Sequence, residues 1–141
     1  MKPVHILLVE DNEGDILLTT EALAEGKLEN KLSVTRDGGA AIDFLNRRKP
    51  FEDQSLPDLI LLDLKMPKVD GIEVLRKLKG DERRKLIPVV VFTSSKEDRD
   101  VLESYQLGAN AYIVKPVDFD EFVKAIAEIG LFWLILNQAP K

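Results

Sequence analysis

Asp58-Leu59-Ile60-Leu61-Leu62-Asp63 places four consecutive branched apolar residues between two carboxylates. A run without polar alternation suits a strand buried on both faces of a parallel sheet. Val4–Val9 and Pro88–Thr93 have the same texture, whereas Leu32–Arg36 and Asn110–Val114 are more polar and read as edge strands. Amphipathic stretches separate these runs. Gly14–Glu25 stops at Gly26. Gly38–Arg48 follows Asp37, a helix N-cap by type. Gly71–Lys79 ends at Gly80, Glu97–Gln106 follows Ser94-Ser95, with Ser95 and Asp98 at capping-box spacing, and Phe119–Leu136 is the longest. Five strand–helix repeats predict a parallel sheet with helices on both faces. Right-handed crossovers leave few topologies for such an α/β fold.

The chain of 141 residues suits one domain, 1–141, with an extended C-terminal helix and no separate output domain. Its net charge of −5 argues against broad binding to DNA or to an anionic membrane surface. With no cysteine, disulfides and thiolate metal sites are excluded. Val4–Val9 is too short for a secretory core, and the apolar run Gly130–Leu136 falls well below the ~20 residues of a membrane span. A cytoplasmic location is the expectation.

In sheets of this kind ligands bind beyond the carboxyl ends of the strands. The first strand ends in Glu10-Asp11-Asn12, the third in Asp63, the fourth in Thr93-Ser94-Ser95 and the fifth in Lys115-Pro116. Three carboxylates packed together repel one another, and a divalent cation relieves that repulsion. All-oxygen ligands without His or Cys suit Mg²⁺. Lys115 can pair with an anionic phosphoryl oxygen and Thr93 can donate to it. Asp63 is then a candidate nucleophile that carries an aspartyl phosphate.

Leu7-Leu8-Val9-Glu10-Asp11-Asn12, Leu61 through Gly71, Thr93-Ser94 and Lys115-Pro116 together closely resemble the receiver domain of two-component response regulators. The likeness extends over residues 4 to 130, and four motifs in order make it specific. It implies an α/β fold, a flavodoxin-like (βα)5 three-layer sandwich with sheet order 2-1-3-4-5, and it implies that Asp63 takes a phosphoryl group from a sensor histidine kinase. It implies that Asp11 and Asp63 ligate Mg²⁺ directly, Glu10 through a water, and Lys65 by its backbone carbonyl. Thr93 and Tyr112 would switch on phosphorylation, Lys115 would pair with the phosphoryl group, and the Lys115–Pro116 bond would be cis. Glu10 is longer than the family's frequent Asp, Lys65 replaces a frequent neutral residue, and Ser94 stands where Ala is common. The long connection before Pro57-Asp58 and the Phe132-Trp133-Leu134 ending also resemble the small single-domain regulators paired with bacterial phytochrome-type kinases.

Plainer readings exist for each residue. Asp63 could cap a helix, Thr93 could be an ordinary strand residue, Tyr112 could be static core and Lys115 a surface lysine. His5, the only histidine, reads as structural or exposed, and Arg83-Arg84-Lys85 as a solvated turn. Lys49–Leu56 reads as an exposed contact loop. In the last helix Phe122, Ile126, Ile129, Trp133 and Leu136 have core spacing, while Phe119, Val123, Leu131, Phe132, Leu134 and Ile135 add apolar surface. That surplus calls for self-packing, or for a homodimer or kinase contact through helix four, strand five and helix five. An aspartate-nucleophile phosphatase needs an acid where Lys65 stands. A flavin-binding flavodoxin needs a phosphate loop where Glu10-Asp11 would repel phosphate.

Overall fold

The computed structural model describes residues 3–26, 28–66 and 69–136, and leaves the side chains of Ile135 and Leu136 undescribed. Pro67 and Lys68 of the quoted motif therefore lie outside the described residues. The elements run β1 (Val4–Val9), α1 (Glu13–Glu25), β2 (Asn30–Thr35), α2 (Gly38–Leu45), β3 (Leu59–Leu62), α3 (Gly71–Lys79), β4 (Val89–Thr93), α4 (Asp98–Gln106), β5 (Ala111–Val114) and α5 (Phe119–Leu136). The strands form one parallel sheet in the order β2-β1-β3-β4-β5, as expected.

The period of two along each strand sorts the core into two layers. Val4, Ile6, Leu8, Leu59, Leu61, Val90 and Phe92 face α1 and α5, where Ile16, Leu23, Phe122, Ile126, Ile129 and Trp133 meet them. Leu7, Val9, Ile60, Leu62, Val89 and Val91 face the other way, onto Ala41, Phe44, Val74, Leu75 and Leu78 of α2 and α3. The three central strands are buried on both sides, which is why their sequences carry no polar alternation.

Parallel connections bring the helix N-termini to the edge where the strands end. Side chains of Asn12, Asp37, Asp70 and Asp118 accept from the amides of Asp15, Ala40, Glu73 and Glu121, satisfying first-turn donors. α4 is the exception. Its N-cap is Glu97, which makes no side-chain cap bond. The capping box expected from Ser95 and Asp98 does not form: the helix starts one residue inside Glu97, and the Ser95 hydroxyl accepts from the Glu97 amide at 3.4 Å while donating to Asp100 at 2.5 Å.

Other expectations also need correction. The cis peptide bond among the described residues joins Lys49 to Pro50, and Lys115–Pro116 is trans, the intrinsically favoured form even before proline. Arg84 is not solvated: its Nε donates to the Leu45 carbonyl and its Nη1 to Asp81 at 3.0 Å. The 49–56 connection is partly packed, with Phe51 against Phe44 at a 5.2 Å ring separation. Ser55 Oγ and Ser33 Oγ lie 3.1 and 2.8 Å from the two ring nitrogens of buried His5.

Trp133, Phe122, Ile126 and Ile129 are core, whereas Leu131, Leu134 and Phe119 are exposed and Val123 and Phe132 half-buried. The last helix thus packs on its own sheet and still shows apolar surface. No helix among the described residues is long and apolar enough to cross a membrane.

Candidate functional site at the strand ends

The strands deliver four of the expected residues as rigid extensions of paired backbone. Glu10 N donates to Thr35 O, Asp63 N to Val9 O and Lys115 N to Thr93 O, each at 2.8–3.0 Å. Behind them α3 presses close: a Cβ on Gly71 would lie 2.3 Å from the Asp63 carbonyl oxygen. Only glycine lets the first turn of α3 approach the backbone of Asp63 this closely.

Glu10, Asp11 and Asp63 each offer a carboxylate oxygen within 4.8 Å of the others. Glu10 and Asp63 are buried and Asp11 is exposed. A hard divalent cation fits this set, since it accepts carboxylates of mixed depth and keeps water on its open side. Burial pushes the Glu10 carboxyl up, and neighbouring Asp63 adds to the rise; the ion pair with Lys115 only partly offsets it, leaving a pKa of about 7.

Lys115 crosses the site from β5, with 8 % of its side chain exposed. Its ammonium pairs with Glu10 Oε1, with Asp15 Oδ2 at 2.9 Å and with Asp63 Oδ2 at 3.3 Å. Burial opposes its charge, but the bonds to Glu10 and Asp15 and the charge of Asp63 outweigh that and hold its pKa above the ordinary lysine value.

Thr93 is fully buried, its Oγ1 3.5 Å from the Ser95 amide. Tyr112 is half-buried. Its hydroxyl donates to the Ser95 carbonyl at 3.0 Å, and its amide donates to the Tyr105 hydroxyl at 3.1 Å. Lys65 turns its side chain away from the carboxylates to Asp100 of α4, 3.2 Å distant. Ser95 and Lys65 hold the Asp100 carboxyl below the usual range against the opposing effect of burial.

The structure thus brings Glu10, Asp11, Asp63 and Lys115 together, with Thr93 at the end of the neighbouring strand. Tyr112 is placed one step out, through Ser95. Two participants escaped the sequence reading. Asp15 sits in the first turn of α1, where acids are ordinary complements of the helix dipole, so nothing in its sequence context set it apart. Asp100 lies on α4, and nothing local in its sequence marks its contact with Lys65.

Residues 6–127 match the profile of the response regulator receiver domain. Among curated relatives, the probable methanogenesis regulatory protein FilR2 of Methanothrix harundinacea is 41 % identical over 98 % of this chain and 88 % of its own length. Response regulator Rcp1 of Synechocystis is 42 % identical over 94 % of this chain and 90 % of its own. Among solved structures, the phosphorylated cyanobacterial phytochrome response regulator RcpA superposes with a TM-score of 0.93 at 40 % identity, covering 99 % of this chain and 100 % of its own. The Mn²⁺-bound form of Rcp1 gives 0.91 at 41 % identity, with coverage of 99 % and 100 %. The bacteriophytochrome response regulator RtBRR gives 0.78 at 50 % identity, covering 99 % of this chain and 85 % of its own.

Proposed function

Because this chain belongs to the response-regulator receiver domain family, a family of signalling domains phosphorylated on aspartate, we propose that it acts as a single-domain regulator with Asp63 as its acceptor. One observation carries the assignment: the Asp63 carboxylate lies at the end of a fully buried strand, within reach of two further acids and of Lys115. An Asp63 oxygen attacks the phosphorus of a kinase phosphohistidine. The P–N bond breaks, its electron pair returns to the imidazole, and an acyl phosphate remains on Asp63. Lys115 exchanges a carboxylate for a phosphoryl oxygen, and the Thr93 hydroxyl donates to another.

Asp11 and Asp63, with the backbone carbonyl of Lys65 and a water held by Glu10, would hold Mg²⁺. When bound, the cation supplies charge neutralisation for the transferring phosphoryl oxygens. Loss of the phosphoryl group to water uses the same constellation, so the chain acts chemically only on its own acceptor.

The kinase is a sensor histidine kinase, and the names carried by RcpA and RtBRR favour a phytochrome-type one. Output passes through the face of α4, β5 and α5, where Leu102, Tyr105, Val117 and Phe119 are exposed. Tyr112 lies between this face and the site, and a second copy of the chain is the occupant we propose there.

Incubation with Mg²⁺ and a small phosphodonor tests the acceptor. Intact-mass measurement should show one added phosphoryl group in the wild type and none in Asp63→Asn. Equal modification of both proteins would place the acceptor elsewhere.

A further inference from the structure

We infer that Asp15 is a positioning residue that competes with the incoming phosphoryl group for Lys115, and so limits how tightly the site captures it. The inference rests on the reading of Asp63 as acceptor. A lysine ammonium has three N–H donors. Glu10, Asp15 and Asp63 all lie within ion-pair reach of the Lys115 ammonium, so one carboxylate per donor leaves none for a phosphoryl oxygen.

One bond must therefore be released. Glu10 is almost wholly buried and would be left as a desolvated charge. Asp63 is also buried, and once loaded it presents oxygens of the new group on the same side, so that side of the ammonium stays occupied. The Asp15 side chain is 27 % exposed, so water can replace the ammonium there. Its backbone amide is anchored to Asn12 Oδ1 at 2.9 Å, which lets the carboxylate turn while the helix start stays in place. Asp15 is also nearer to Lys115 than Asp63 is, at 2.9 against 3.3 Å. Its charge thus opposes an incoming anion twice, by holding the cation and by direct repulsion.

Asp15 stands outside the cluster of Glu10, Asp11 and Asp63 that can hold a metal. Its effect on anion capture is therefore separable from metal affinity. The test measures beryllofluoride binding by ¹⁹F NMR at saturating Mg²⁺, and Mg²⁺ binding alone by calorimetry. Asp15→Asn should bind beryllofluoride about fivefold more tightly than wild type, the scale of one partly exposed charge pair. Its Mg²⁺ affinity should be unchanged, because Asp15 is not among the carboxylates that can hold the metal. Asp15→Glu should resemble wild type. A merely structural role would weaken both ligands together.

Equal or weaker beryllofluoride binding in Asp15→Asn, at an unchanged melting temperature, overturns the inference. Should that variant not fold, Asp15→Ser serves as the neutral substitute and is judged by the same criterion. Failure of the folded wild type to bind beryllofluoride overturns the acceptor reading itself, a result distinct from wild-type binding that is indifferent to Asp15.

Discussion

At the scale of single residues, Glu10 governs how the site responds to pH. Its carboxyl is pushed up to about 7, chiefly by burial, and a metal must displace the proton it then carries. Mg²⁺ should bind more weakly at pH 6 than at pH 8, by at most about tenfold, the limit set by proton competition at a single site. Calorimetry at the two values checks this, and Glu10→Gln should remove most of the difference. Gly71 makes a second prediction. The methyl group of Gly71→Ala would collide with the Asp63 carbonyl, so urea unfolding should show a loss of about 1–3 kcal/mol from overpacking. Most of the site was legible in the sequence because each residue follows a recognisable strand. Asp15 and Asp100 were not, because a helix residue reveals its partner only once the crossover has placed it. The cis expectation for Lys115–Pro116 came from the resemblance alone, and the chain here is trans.

At the scale of elements, α4 stands apart. Its buried residues are Asp100 and Ser104, where α3 buries Val74, Leu75 and Leu78. A helix held by polar bonds rather than apolar area is suited to moving. The tie from Ser95 and Lys65 to Asp100 therefore acts as a fastener between α4 and the acceptor region. Since the folded Asp100 carboxyl is held below its ordinary value, the tie contributes fully above about pH 4 and is lost as pH falls through the lowered value. Asp100→Ala should cost about 2 kcal/mol in urea unfolding at neutral pH, the scale of hydrogen bonds to a charged group, and much less in strong acid. Sequence periodicity captured α3 to the residue because its apolar stripe of Val74, Leu75 and Leu78 runs almost to its end, and it captured the start of α5 at Phe119. In α2 it ran on to Arg48, whereas the helix stops at Leu45, where the chain turns through Arg47 at positive φ.

At the scale of the whole molecule, the two-layer core was readable from the buried strands and their alternation. What covers the exposed apolar residues was not, because surface area alone does not name an occupant. Trp133 belongs to the core, so its replacement would test folding rather than association. Val117 and Phe119 are the better probes of the proposed self-contact. Sedimentation should show a mass that rises with concentration in wild type, more strongly when beryllofluoride is bound, and a monomer for Val117→Ser/Phe119→Ser. An unchanged mass in the double variant would remove that face from self-association.

The indole of Trp133 donates to the Asp58 carbonyl, just before β3, at the opposite end of that strand from Asp63. As the sole tryptophan of the chain it is an intrinsic fluorophore, with one emission signal to interpret. Any change in its colour or lifetime when the acceptor is loaded would record a signal that had travelled the length of the sheet, read optically without a label.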